Sequence, residues 1–321
     1  MKAEYGGRSI FRKINYLRLS LTQRCNFRCL YCHAGRNGCS APDELSLREI
    51  AVIAQAASEI GCTAIRLTGG EPLVRRDISE ICETVRTVAN PQKLGITTNG
   101  FFLGRLAESL YDAGVTHVNV SLDTADEAVF EKITGIDGFR TVLDGIGKAV
   151  ATGFKRVKIN AVLLHGVNDS EEAVRRLAEL TERLPVDLRF IELMPFGLTG
   201  SDYLKSFVSK ELVFRALPDL EKIPDYGEGP AVMYHRQGSP GNIGIISPMT
   251  SCFCKSCNRI RVLSDGRVRP CLLGSREFGI RGLGVKDTAD VLRRAIASKP
   301  ASYRDGSDNL RINCEMKRIG G

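Results

Sequence analysis

The stretch Tyr16-Leu17-Arg18-Leu19-Ser20-Leu21, followed three residues later by Cys25-Asn26-Phe27-Arg28-Cys29-Leu30-Tyr31-Cys32, decides the reading of this 321-residue chain. Its first part is a short apolar, β-rich run and reads as a strand. Its second part spaces three thiols as C-x3-C-x2-C on one tight loop, where three thiolates can hold a metal cluster by three corners. A structural zinc site usually closes with four ligands. The adjacent His33 is too constrained to cap the same ion, which leaves Cys39 as the candidate fourth ligand. Three ligands alone would leave one iron of a 4Fe-4S cluster open for chemistry.

Outward from this stretch the same theme repeats, a short strand-like run followed by a longer helical pattern. The strand candidates are Tyr16-Leu21, Ala64-Thr68, Lys93-Thr97, His117-Ser121, Lys155-Val162 and Asp187-Glu192. Between them, Ser46 with Glu49 forms a capping-box signature ahead of Leu47, Ile50, Ala51, Ala54, Ala57 and Ile60. Ser170-Glu171-Glu172 opens another helix carried by Val174, Leu177, Ala178 and Leu184. Helices between buried strands imply parallel pairing with right-handed crossovers. Six units are too few for a closed eight-stranded barrel, so the expected fold class is α/β, a partial, open-sided (β/α)6 barrel.

The pattern changes after Met194. Pro195 to Pro240 is rich in Gly and Pro, and then Asn242-Ile246 and Arg259-Leu263 read as strands, with an Asp265-Gly266 hairpin turn before Val268. The expected organisation is an N-terminal extension over 1–15, the barrel over 16–194, and a smaller region over 195–321 lying across the barrel's open side or end.

Size and composition bound the function. A chain with 43% hydrophobic residues buries a sizeable core, and 26% charged residues with 32 Gly and 12 Pro exclude disordered or collagen-like classes. No stretch approaches the roughly 18 consecutive apolar residues that span a bilayer, and Met1 to Gly7 has no apolar signal-peptide core, so a soluble cytoplasmic protein is expected. Eleven cysteines, an odd number, argue against a disulfide framework and for reduced thiols. A net charge of +8 calls for an anionic partner. Nucleic acid is disfavoured, because there is no helix-turn-helix, tandem-finger or RNP-like motif and only 7% of residues are aromatic.

A second constellation, Cys254-x2-Cys257 with Cys271 thirteen intervening residues later, spans the hairpin that would return Cys271 towards the pair. It reads equally as a zinc knuckle completed by Cys252 or as another three-cornered iron-sulfur site. Cys62 and Cys82 lie on or beside helices and read as small hydrophobes, and Cys314 is unassigned.

The first triad, Gly69-Gly70-Glu71-Pro72 after the second strand, Thr97-Thr98-Asn99-Gly100, Val118 to Asp123, Val157-Lys158-Ile159-Asn160, Arg189 to Met194, Phe253 to Cys271 and the final Ile319-Gly320-Gly321 form an ordered set. This set resembles the radical S-adenosylmethionine superfamily and, within it, the molybdenum cofactor biosynthesis protein A (GTP 3',8-cyclase) family. The resemblance implies a 4Fe-4S cluster on Cys25, Cys29 and Cys32, whose open iron chelates S-adenosylmethionine, with Tyr31, Gly69, Gly70, Glu71, Ser121 and Met194 around that cofactor. It implies a second 4Fe-4S cluster on Cys254, Cys257 and Cys271 that binds the guanine of GTP. Arg18, Arg66, Thr97, Lys158, Arg189, Arg259, Ile260 and Arg261 would contact the nucleotide, and Gly320-Gly321 would enter the active site as catalytic residues together with Arg259 and Arg261.

The implied reaction is hydrogen abstraction from ribose C3' by a deoxyadenosyl radical, followed by attack on guanine C8 to give 3',8-cyclo-7,8-dihydro-GTP, the first step of molybdenum cofactor biosynthesis. The implied partners are an electron donor and, downstream, a cyclic pyranopterin monophosphate synthase, with the enzyme a monomer or homodimer. The alternative is a related radical enzyme acting on another nucleotide or a peptide. Two departures stand out: Ala64 occupies a position where the family commonly has Lys, and His33-Ala34-Gly35 follows Cys32 in place of the family's usual Met-Pro or Leu-Pro.

Overall fold

The computed structural model describes residues 12–32, 44–196, 200–224 and 229–302. His33, Cys39, Cys314, Gly320 and Gly321 lie outside them.

The first half alternates strands and helices as the sequence implies. In order come β1 (Tyr16–Ser20), α1 (Leu47–Glu59), β2 (Ala64–Thr68), α2 (Ile78–Ala89), β3 (Lys93–Thr98), α3 (Leu103–Asp112) and β4 (His117–Ser121). They are followed by α4 (Glu127–Thr134), α5 (Phe139–Thr152), β5 (Arg156–Leu163), α6 (Glu171–Arg183) and β6 (Asp187–Glu192). The predicted starts of α1 and α6 are real caps. Ser46 and Glu49 form both halves of a capping box, and the Ser170 hydroxyl accepts from the Ala173 N–H.

The C-terminal region adds α7 (Gly200–Ser206), α8 (Glu211–Ala216), β7 (Glu221–Lys222), β8 (Val232–His235), β9 (Asn242–Ile246), β10 (Arg259–Val262), β11 (Arg267–Arg269), β12 (Phe278–Gly279) and α9 (Val285–Ala297). The twelve strands among the described residues join one sheet in the order β12-β11-β10-β1-β2-β3-β4-β5-β6-β9-β8-β7. The eight from β10 to β9 are parallel to their neighbours.

This corrects one expectation. The C-terminal region does not merely lie over a six-stranded barrel, because β10 pairs beside β1 and β9 beside β6, extending it at both edges. The reason is backbone satisfaction: β1 and β6 would otherwise present unpaired N–H and C=O groups along an open edge. The sheet remains unclosed, as expected of a partial barrel.

One face of the parallel strands is apolar and packs on the helices. Leu17, Leu19, Ile65, Leu67, Ile96, Val118, Val120, Ile159, Leu188 and Ile260 are all fully or almost fully buried in the main core. The alternate positions face the barrel interior and mostly carry charged or polar side chains, among them Tyr16, Arg18, Arg66, Thr97, Asn119, Lys158 and Arg189. Strands covered on both sides normally read as continuous apolar runs. The interior of this barrel is therefore built to receive a polar ligand.

Candidate functional site

Cross-strand register stacks the interior side chains. Arg18 stands between Arg261 of β10 and Arg66 of β2, Asn119 beside Thr97 and Lys158, and Asn160 beside Arg189. They surround a cavity of about 240 Å³ lined by Arg18, Arg66, Lys93, Lys158, Arg189 and Arg259, together with Tyr16, Tyr31, Thr97, Ser121 and Met194. Gly95 is required by this packing. A Cβ there would come within 2.8 Å of the Arg66 guanidinium, which lies across β3 and donates to the Ile96 carbonyl at 2.9 Å.

The cations crowd one another. Burial, and then Arg66, bring Arg189 down to about 10, and burial with Arg259 does the same for Arg261. Burial and Arg261 hold Arg18 well below the usual arginine range. Burial pushes the Tyr16 phenol up, but the charges of Arg66, Arg18 and Arg259 outweigh it and bring Tyr16 down to about 7. Thr97 Oγ1, Asn119 Oδ1 and Arg259 Nε are buried without a hydrogen-bond partner among the described residues. The two carboxylates on the wall are already engaged: Asp123 by the Tyr31 hydroxyl and the Val162 N–H, and Glu192 by the N–H groups of Met249 and Thr250. A polyanion would relieve the repulsion, and guanidinium forks suit phosphate oxygens.

The first triad sits where β1 ends. Gly70 donates its N–H to the Thr22 carbonyl at 2.7 Å, and a Cβ at Gly70 would come within 2.4 Å of the Arg24 carbonyl oxygen, so only glycine lets the two loops touch. The Glu71 carboxylate is fully buried and accepts from the N–H groups of Leu73 and Asn99 and from the Thr98 hydroxyl. Burial nevertheless pushes it up to about 7. Glu71 thus organises the strand ends, and Asn99 in turn reaches the Cys25 sulfur and the Asn26 side chain. The Phe27 N–H donates to Cys25 Sγ at 3.4 Å. Cys29, Tyr31, Ser121 and Asp123 share a small adjoining cavity, so Tyr31 and Ser121 link the triad to the central one.

The second triad lies across the central cavity. The β10–β11 hairpin pairs Arg261 with Arg269, and Cys254, Cys257 and Cys271 line a cavity of about 80 Å³ with Arg259, Arg261 and Lys299. Met194, Phe253, Arg259 and Leu272 border both cavities. Burial opposes ionisation of Cys257, but the charge of Lys299 and its neighbours brings that thiol below its usual value.

Among the described residues, no three His, Cys, Asp or Glu side chains converge to hold a single metal ion. A cluster asks for something else, sulfurs around a space with a separate iron under each. The second triad has this arrangement, with all three cysteines lining one cavity, while at the first Cys29 lines a small cavity and the Phe27 N–H and the Asn99 side chain donate to the Cys25 sulfur.

The expected interior residues Arg18, Arg66, Thr97, Lys158, Arg189 and Arg259 converge on one cavity, while Arg261 faces the smaller one. The Ile260 side chain packs in the core on the opposite face, so any substrate contact there falls to its backbone. Gly69, like Gly70, crowds Thr22 at the loop junction. Cys62 and Cys82 are buried, and burial pushes both thiols up to about 12, as suits small hydrophobes. Sequence reading missed Tyr16, Lys93, Asp123, Asn160, Glu192 and Lys299. The signal for most of them is the strand alternation itself, a polar side chain at every second position. Lys93 bears on the Ala64 departure, because it is the direct register partner of Ala64 and lines the cavity one strand over.

Residues 19–178 match the Radical SAM superfamily and residues 186–305 match Molybdenum Cofactor Synthesis C. A GTP 3',8-cyclase of Moorella thermoacetica is 40% identical over 97% of this chain and 98% of its own length. Molybdenum cofactor biosynthesis protein 1 of Bos taurus is 40% identical over 92% of this chain and 48% of its own. The structure of Streptococcus suis SuiB bound to S-adenosylmethionine superposes with a TM-score of 0.65 at 16% identity, covering 94% of this chain and 72% of that one, a likeness of fold. The chain belongs to the radical S-adenosylmethionine superfamily and, within it, to the GTP 3',8-cyclase family.

Proposed function

We propose that the protein is a GTP 3',8-cyclase, converting GTP to 3',8-cyclo-7,8-dihydro-GTP at the start of molybdenum cofactor biosynthesis. The observation that carries this reading is the cation-lined cavity bracketed by two cysteine triads. As a radical S-adenosylmethionine protein it uses a 4Fe-4S cluster and that cofactor, which together supply one-electron cleavage and a hydrogen-abstracting radical.

Cys25, Cys29 and Cys32 hold this cluster, and Tyr31, Gly69, Gly70, Ser121 and Met194 shape the pocket for S-adenosylmethionine, with Glu71 supporting them. Arg18, Arg66, Lys158, Arg189 and Arg259 hold the triphosphate and Thr97 lines its path. Cys254, Cys257 and Cys271 hold a second 4Fe-4S cluster that takes the guanine, with Arg261 beside it and the Ile260 backbone in the wall. The chain's own contribution is positioning and water exclusion, which bring the reacting atoms into line and protect the intermediate. Gly320 and Gly321 complete the site from the tail, two residues without side chains that can enter a crowded cavity. Residues 16–194 supply six strands of the barrel, and the C-terminal region over 195–321 adds β9 and β10 to its edges and carries the second cluster and the Gly-Gly tail.

No helix among the described residues is long and apolar enough to cross a membrane. With reduced thiols and oxygen-sensitive clusters, the reading places the enzyme in the cytoplasm, served by an electron donor and handing its product to a cyclic pyranopterin monophosphate synthase, as a monomer or homodimer. The test is mass spectrometry of products from GTP and other nucleotides, using anaerobically reconstituted protein, S-adenosylmethionine and a reductant. The cyclised product from GTP is expected, with two clusters per chain by iron analysis. Turnover of another nucleotide but not GTP would overturn the substrate, and one cluster plus zinc would overturn the second cluster.

A further inference from the structure

The second triad is closed from outside by two cations that the reaction itself does not call upon. Lys299 follows α9, and its ammonium donates to the carbonyl of Arg259 at 2.9 Å and to that of Pro270. Arg259 stands two residues beyond Cys257, and Pro270 immediately precedes Cys271. One side chain therefore ties together the two strands of the hairpin at the end where the third cysteine meets the other two. Arg12, near the opposite end of the chain, donates to the carbonyls of Cys254 and Pro300. Lys299 is largely buried and lines the cavity the three thiols surround, and none of the described residues lining that cavity is acidic.

We propose that Lys299 is a positioning residue for the second cysteine triad, holding the hairpin closed around its cluster and raising that cluster's reduction potential. The inference rests on the two-cluster reading above. Reduction adds negative charge to the cluster, and a fixed cation in a water-poor site stabilises the reduced form. A lysine does this with a compact charge, while two of its three donors are spent on the carbonyls that set the geometry.

The test is an electron-paramagnetic-resonance redox titration of the full chain, reconstituted with both clusters, in wild type, Lys299→Met and Lys299→Arg. To isolate the signal, the same substitutions are made in a chain whose first triad is replaced by alanine. For Lys299→Met the reduced-to-oxidised ratio of the second cluster at a fixed potential falls about tenfold, the order given by one charge about 10 Å away at an effective dielectric near 20. That is a downward shift of about 59 mV for one electron. The first cluster's potential stays fixed, and Lys299→Arg restores the second. If Lys299→Met does not fold, Lys299→Gln keeps a donor and removes the charge, and the same shift is expected. An unchanged potential in a fully loaded neutral variant overturns the proposal and leaves the two-cluster reading standing. A wild-type chain that loads only one cluster overturns both.

Discussion

The two ends of the central cavity carry the same ligand set, three cysteines, in opposite electrostatic surroundings. At the first triad the buried charges acting on the thiols of Cys25 and Cys29 are the carboxylates Glu71 and Asp123. Burial, and then Asp123, hold the Cys29 thiol well above its usual range, and burial with Glu71 raises Cys25. At the second triad the neighbours are Arg259, Arg261 and Lys299, and Cys257 goes the other way. Held there, a cluster among acids would be hard to reduce and, once reduced, a strong donor, which would suit one-electron cleavage. In the proposed reading, a cluster among cations would suit holding an electron-rich ring whose triphosphate would meet Arg18, Arg66 and Arg189. On that reading, the polarity of the cavity would separate the radical-generating end from the substrate-holding end.

The sharpest way to break this comparison is to remove one cysteine at each end. Cys29→Ala is expected to abolish both cleavage of S-adenosylmethionine and formation of cyclised product. Cys257→Ala is expected to abolish the cyclised product while leaving slow cleavage of S-adenosylmethionine. Chromatography of 5'-deoxyadenosine and of nucleotide products in one assay reads both. Equal loss of cleavage in the two variants would show that the ends do not divide the work.

A finer cut concerns the phosphate-holding end. Lys93 is the register partner of Ala64 and lines the cavity, so under the proposed function its ammonium would supply from β3 the charge that the related family commonly draws from β2. Lys93→Met is expected to raise KM for GTP about tenfold with kcat little changed, the loss of one charge-assisted contact worth about 1.5 kcal/mol. Adding Ala64→Lys to that variant returns KM most of the way. Initial-rate kinetics on the single and double variants decides it, and a double variant no better than the single would remove Lys93 from the phosphate site.

How much of this was legible follows from where the information lies along the chain. The six barrel strands, the caps at Ser46 and Ser170 and the hairpin at Asp265-Gly266 are local patterns, and the structure has all of them. The partnership of β10 with β1 is not local. Nothing near Arg259 announces that Arg261 will stand beside Arg18, from the opposite end of the chain. The odd charges Arg18, Arg66 and Arg189 stood out because apolar neighbours flank them. Lys93 and Asp123 did not, since a polar residue at a strand end reads as the start of a turn. Glu71 was expected among the cofactor contacts, but its oxygens are taken by Leu73, Thr98 and Asn99, a use that only the fold reveals. Lys299 lies in a segment without periodicity, and its meaning comes entirely from the two carbonyls it meets.

The smallest expected effect probes the same polarity through a proton. Tyr16 is brought down to about 7 because three guanidiniums favour its phenolate. A bound triphosphate neutralises those charges and adds its own, so the phenol form is favoured in the complex and its pKa rises. Above about pH 7 the free protein has lost this proton and the complex regains it, so binding takes up a proton and weakens as pH rises through that value. The folding linkage has its own sign. The depressed pKa contributes stability that is present above the ordinary phenol value of 10.0 and is lost as pH falls from there towards 7. Calorimetry of GTP binding near pH 8, in buffers of different ionisation enthalpy, should show a fraction of a proton taken up by wild type, and less by Tyr16→Phe. Equal uptake by both proteins would mean that the cations at this end do not act on Tyr16 as the geometry requires.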